Sequence, residues 1–256
     1  RSGLPALARC VRAGARRRLA ARSPAAPPAG AAGLRAAAWL RAVLLRLLAA
    51  LALLAFSVQA VDTDRIVRSA RKYGPTAVAN ARALQEMMQA LGGKDDASRL
   101  RAVNDFYNQR LAYGEDIDVW RDVDYWASPL EALGKGAGDC EDYAIGKYFT
   151  LTSLGVPDAK LRMVYVRASI AGAPGGFVAH MVLAYYPTPD AEPLVLDNLQ
   201  PAIRRAGERP DLSPVFSFNA EGLWQGVGSI RANGDPLTRL SKWREALLRA
   251  RQDGFQ

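Results

Sequence analysis

The chain has few of the side chains that carry most nucleophilic and acid–base chemistry. Among 256 residues there are two cysteines, Cys10 and Cys140, and a single histidine, His180. Acids are missing altogether from one region. Residues 1–60 contain ten arginines but no Asp, Glu or Lys. Removing those ten from the 34 basic residues leaves 24 against 25 acidic ones, a net charge of −1 instead of +9. The basic excess therefore belongs to the N-terminal segment, and the rest lacks the electrostatic footprint of a nucleic-acid-binding surface. A long hydrophobic run is absent too. The longest, Leu47–Phe56, has ten residues, where a membrane span needs roughly 20.

That run still has a meaning. It follows Arg35, Arg41 and Arg46 and ends in Ser57-Val58-Gln59-Ala60. A basic flank, a short apolar core and small residues before a cut are the pattern of a secretory signal, here with cleavage after Ala60. A membrane anchor is the competing reading. Residues 1–60 are thus set apart from 61–256, which suit one domain with a substantial core. With Cys10 removed, Cys140 is the only thiol of the exported part. It cannot form an intrachain disulfide, so it is either buried filler or kept for its reactivity.

Helix signals come first along the exported part. Asp62 or Thr63 caps a helix ending near Tyr73-Gly74. Pro75 opens a second that stops at Gly92-Gly93. Asp95 or Asp96 caps a third, with Leu100, Val103, Tyr107 and Leu111 on one face. Residues 113–137 read as a solvated loop rich in acids and aromatics, because their acids do not fit the D-x-D-x-D-G-x5-E calcium pattern. A fourth helix begins at Asp139-Cys140 and turns Ala144, Ile145, Tyr148, Phe149 and Thr152 inward. Strands follow at 161–168, 177–186, 193–199, 214–218 and 223–230. A last amphipathic helix carries Leu240, Trp243, Leu247 and Leu248. Helices first and an antiparallel meander afterwards make an α+β fold.

The chemistry concentrates in G-A-G-D-C-E-D-Y, residues 136–143. A thiol at a helix N-terminus sits among unpaired N–H groups at the positive end of the dipole, and both favour the thiolate. The same N–H groups can stabilise an oxyanion beside the sulfur. Asp139, Glu141 and Asp142 oppose this, since carboxylates around a thiol raise its pKa unless something neutralises them. A Ca²⁺ ion would do so. In the plainer alternative, Asp139 caps the helix while Glu141 and Asp142 complement its dipole.

A nucleophilic cysteine needs a base. His180 lies in the strand candidate F-V-A-H-M-V-L, and L-V-L-D-N returns after the turn Pro187-Thr188-Pro189-Asp190. Centring the hairpin between Thr188 and Pro189 pairs residues whose numbers sum to 377, which sets His180 opposite Asp197. Opposed residues share a face with Cβ atoms roughly 5 Å apart. The carboxylate then orients the imidazole, and Cys140, His180 and Asp197 make a triad in which the imidazole takes the thiol's proton.

The run W-A-S-P-L-E-A-L-G-K-G-A-G-D-C-E-D-Y-A-I-G-K-Y-F, with L-R-M-V-Y-V, H-M-V-L-A-Y-Y, L-V-L-D-N-L and F-S-F-N after it, resembles the bacterial transglutaminase-like cysteine proteinases from about Ile66 to Trp224. The resemblance implies a papain-like, transglutaminase-like core and a periplasmic endopeptidase. Its catalytic residues fall on Cys140, His180 and Asp197. It also implies calcium near the cysteine, where Asp139, Glu141 and Asp142 stand. The implied substrate is the N-terminal region of a large surface adhesin, cut at a pair of alanines to release a biofilm. The implied regulator is an inner-membrane receptor that senses cyclic di-GMP. Trp126 is a candidate for the substrate groove, with a core tryptophan as the alternative. Acyl transfer to an amine, an inactive receptor-binding module and a structural domain with a filler cysteine remain the rival readings.

Overall fold

A computed structural model describes Val43, residues 62–228 and residues 236–256. The rest of the signal segment and its cleavage after Ala60 lie outside these residues.

Three helices lead. Helix α1 (Thr63–Ala70) starts where the Asp62 carboxylate accepts the Arg65 N–H. Helix α2 (Pro75–Ala90) opens on its proline, whose missing N–H costs nothing at a helix start. Helix α3 (Asp96–Arg110) is capped by Asp95 through the Ser98 N–H. All four residues expected on its apolar face, Leu100, Val103, Tyr107 and Leu111, are buried.

The segment read as a loop carries structure of its own. It holds β1 (Ala112–Tyr113), a short α4 (Asp116–Val119), α5 (Pro129–Lys135) and β2 (Ala137–Gly138). Helix α5 begins with a complete capping box: the Ser128 hydroxyl accepts the Glu131 N–H, and Glu131 accepts the Ser128 N–H. Ser128, Pro129 and Glu131 spell that box in the sequence, so the loop assignment is corrected here. Gly136 ends the helix with φ +67°, a left-handed conformation that suits glycine.

Helix α6 (Cys140–Ser153) is buried along most of its length. Ala144, Ile145, Tyr148 and Phe149 are buried. It packs against α3 and against β3 (Leu161–Ser169) and β4 (Phe177–Tyr185). Strands β5 (Leu194–Leu196), β6 (Arg204–Arg205), β7 (Leu212–Phe218) and β8 (Leu223–Gln225) complete an antiparallel sheet in the order β6-β5-β4-β3-β7-β8. The main core lies between the helices and the sheet face bearing Met163, Met181, Leu183 and Tyr185. The other face buries Val164, Val166, Val182, Ala184 and Val195 under Ala206, Leu212 and Val227. After α7 (Pro236–Arg239), the final helix α8 (Ser241–Asp253) plants Trp243 on Phe149, with ring centroids 5.4 Å apart. Leu248 points outward, because the buried stripe is Trp243, Ala246, Leu247 and Ala250. Two strands are shorter than their apolar runs. The chain leaves the sheet after Leu196 and turns after Gln225. Among the described residues, no helix is long and apolar enough to cross a membrane.

Helices followed by an antiparallel sheet bear out the α+β reading.

Candidate active site

The start of α6 is fixed from both sides. Strands β1 and β2 pair in parallel, Ala112 with Ala137 and Tyr113 with Gly138, and this holds the glycine turn in place. Gly138 also has no room for a side chain, since a Cβ there would stand 2.5 Å from Asp142 Oδ2. Cys140 is the first helical residue, so its N–H has no intrahelical acceptor.

Asp139 occupies the N-cap position, but its carboxylate makes no capping bond. The plainer reading of this residue as a helix cap is thereby overturned. Its Oδ1 is buried without a partner. What it faces is other acids. Oxygens of Asp116, Asp139 and Asp142 lie within 4.8 Å of one another, and so do those of Asp116, Asp124 and Glu141. Asp116 is 4 % exposed and Asp142 fully buried, which also overturns the solvated-loop reading of Asp116. The loop folds around this cluster by hydrogen bonding. Asp142 accepts the Ala127 N–H at 2.7 Å and the Trp120 indole N–H at 3.2 Å. Asp116 accepts the Tyr125 N–H at 2.5 Å, and the Trp126 indole N–H reaches Asp124 at 3.0 Å. Trp126 itself is half-buried and stacks on Phe218, centroids 5.9 Å apart.

Crowding of like charge away from water shifts these acids together. Burial, then the negative Glu141 and Asp142, push the Asp139 carboxyl up to about 10. Burial raises Asp116 to about 6 and lifts Asp142 well above the carboxylate range. An all-oxygen donor set with two orphaned buried oxygens, Asp116 Oδ1 and Asp139 Oδ1, fits a hard divalent cation.

The thiol faces both ways. Cys140 Sγ donates to Glu141 Oε2 at 3.0 Å rather than to the imidazole. Burial, then Glu141 and Asp139, raise its pKa, while the backbone N–H of Met181 on β4 works against them. That N–H belongs to the residue next to His180.

His180 and Asp197 come together as the sequence requires, by a different register. Strands β4 and β5 pair Leu183 with Leu196 and Tyr185 with Leu194, so paired numbers sum to 379 and not to 377. The hairpin is centred one residue later than the symmetric turn suggests. A two-residue shift of register preserves the face, and Asp197 meets His180 from just beyond the end of β5. His180 Nε2 and Asp197 Oδ1 are 2.8 Å apart, with His180 4 % exposed. Asp197 Oδ1 also accepts the Leu199 N–H at 3.0 Å, and Oδ2 accepts from Arg209 at 2.7 Å. Burial alone would raise this carboxyl; His180, Arg209 and the Leu199 N–H together hold it at about 2. Two further donors secure its backbone. Asn108 and the buried Lys147 donate to the Asp197 carbonyl at 2.8 and 3.1 Å.

Sequence reasoning missed Asp116, Asp124, Asn108, Lys147 and Arg209. A signal existed for the first two: acids interleaved with Trp120, Tyr125 and Trp126 make too apolar a stretch for a fully solvated loop.

Comparison with known proteins agrees with this architecture. The family profile described as bacterial transglutaminase-like cysteine proteinase (BTLCP) matches residues 76–210. Three solved structures of LapG from Legionella pneumophila are similar. The EGTA-treated form is 42 % identical, with a TM-score of 0.63 over 73 % of this chain and 97 % of that one. A second structure gives 41 % identity and a TM-score of 0.62 over 73 % and 97 %. The calcium-bound form gives 39 % and 0.60 over 73 % and 98 %. A search of curated proteins finds no match.

Proposed function

This chain belongs to the bacterial transglutaminase-like cysteine proteinases, and from that premise we propose that it is a calcium-dependent periplasmic endopeptidase with Cys140 as nucleophile, His180 as base and Asp197 as orienting acid. The observation that carries the reading is the meeting of α6 and β4. Helix α6, which opens on Cys140, packs on the strand that carries His180, and His180 is held by Asp197 at 2.8 Å.

Asp197 engages Nε2, which leaves Nδ1 of the ring for the thiol. Catalysis requires the thiol to exchange its Glu141 partner for that nitrogen. His180 then takes the proton, and the sulfur attacks the scissile carbonyl. The Cys140 N–H, free of intrahelical bonding, faces the developing oxyanion. His180 returns the proton to the leaving amine, and water resolves the thioester. Asp139, Glu141 and Asp142 would hold the calcium together with Asp116 and with Asp124, which also pairs with Lys242 at 2.8 Å, and the ion would offset the clustered negative charge. Trp126, at the edge of the same loop, flanks the substrate groove.

The substrate we propose is the N-terminal region of a large surface adhesin, cleaved at a di-alanine. Control comes from an inner-membrane receptor sensing cyclic di-GMP, and export depends on the signal ending at Ala60. The test is to incubate the protein with adhesin N-terminal fragments, with and without calcium, and to sequence new termini. Cleavage at Ala-Ala that needs calcium and is lost in Cys140→Ala is the expected result. Cleavage by the Cys140→Ala protein would end the nucleophile assignment.

A further inference from the structure

The partner of Asp197 away from the imidazole is unusual. Arg209 is a charged side chain only 2 % exposed, and it spends part of its guanidinium on the carboxylate of the proposed triad. Nε and the same terminal nitrogen grip Asp211, at 2.9 Å from Oδ1 and 2.7 Å from Oδ2, while the other terminal nitrogen is buried without a partner. Asp211 is 41 % exposed. A chain of hydrogen-bonded side chains therefore runs from the buried ring to the surface: His180, Asp197, Arg209, Asp211. The turn carrying Arg209 is itself fixed, since its N–H donates to the Ala206 carbonyl and its carbonyl accepts the Leu212 N–H.

Burying a guanidinium is costly unless its charge is met. A surface-facing Arg209 would meet Asp211 just as well. Burial is explained by the second contact, which denies Asp197 the freedom to rotate its Oδ2 toward His180. A carboxylate with one oxygen pinned presents the other at one angle, and that angle sets the plane and tautomer of the ring.

We propose that Arg209 is a positioning residue for the triad, fixing the Asp197 carboxylate so that His180 keeps Nε2–H bonded and Nδ1 directed to its reaction partner. The proposal rests on the catalytic reading above, and its test separates the two.

Because His180 is the only histidine, an imidazole ¹⁵N spectrum of the full chain, purified without a histidine tag, contains one ring. At about pH 9, where an ordinary imidazole is neutral, the wild-type spectrum should show one tautomer, protonated at Nε2. Arg209→Met should give a mixture. On a fluorogenic Ala-Ala peptide its kcat should fall on the order of 10²-fold, as small misplacements do, with KM within about twofold, the split expected when positioning is lost and substrate binding is kept. Arg209→Lys should recover part of kcat, since it restores the bond to Asp197 without the fork. Asp211→Asn removes only a half-exposed anchor and so stays folded. It should shift tautomer and kcat in the same direction by a smaller amount, which keeps the proposal open to test if Arg209→Met does not fold. A wild-type kcat and single tautomer in Arg209→Met, or in Asp211→Asn where the first variant is unfolded, overturn the role of Arg209. An active His180→Ala protein would instead overturn the triad, whatever the arginine variants do.

Discussion

The buried carboxylates at the start of α6 and the one just beyond β5 are satisfied in opposite ways. On the strand side, Asp197 has a ring, a guanidinium, and a backbone N–H on its two oxygens, and it is held at about 2. On the helix side, Asp116, Asp139 and Asp142 face one another, and Asp139 is driven up to about 10. The same functional group, buried in both places, is stabilised as an anion in one and forced toward the acid form in the other. Burial does not decide the outcome; the supply of nearby positive charge does. The strand side is complete within the chain, whereas the helix side needs charge from outside.

The largest expected effect is at the proposed nucleophile. Cys140→Ala should lower turnover by about 10³–10⁶-fold with the fold intact, read by peptide hydrolysis and circular dichroism. The next largest effect is chelation. It should abolish activity and lower the melting temperature, because a ligand at about 100 times its Kd contributes about 2.7 kcal/mol, roughly 5–10 °C for a domain of this size. An unchanged melting curve in EGTA would mean that the helix-side acids are self-sufficient.

Titration separates the sides by sign. Asp197 is depressed, so its contribution of about 2 kcal/mol is present above about pH 4 and lost as pH falls toward about 2. Asp116 and Asp139 are raised, so without a cation they favour the fold below about pH 4, and that advantage is lost as pH rises through about 6 for Asp116 and about 10 for Asp139. Thermal melts in EGTA should therefore lose stability from about pH 4 upward, on account of both acids to about 6 and of Asp139 to about 10, and saturating calcium should flatten that slope. Equal slopes with and without calcium would contradict the assignment. The smallest effect grades the acids themselves. Asp124, whose side chain is 53 % exposed, should weaken calcium binding only about threefold as Asn, while the buried Asp116→Asn should cost ten- to a hundredfold, both read by calorimetry.

The residues legible from sequence were those whose signal is local or unique. Asp62, Pro75 and Asp95 start helices by chemistry that acts within one turn. Cys140 and His180 stood out because little else in the chain can do their work. Asp197 followed from alternation along a strand, which survived a two-residue error in register because alternation has period two. Arg209 was not legible. Its burial depends on which elements close over it, and nothing within a few residues encodes that closure. Ser128 was legible and went unread.

Gly138 shows what such close construction demands of the chain over time. With Asp142 already 2.5 Å from where the first atom of any side chain would go, this position has no neighbouring amino acid to try. Its freedom to drift is as small as that of the proposed nucleophile two places along, though it takes part in no chemistry. A saturation library across residues 136–143 would register both as equally intolerant, and only a separate assay of folding would tell the one from the other.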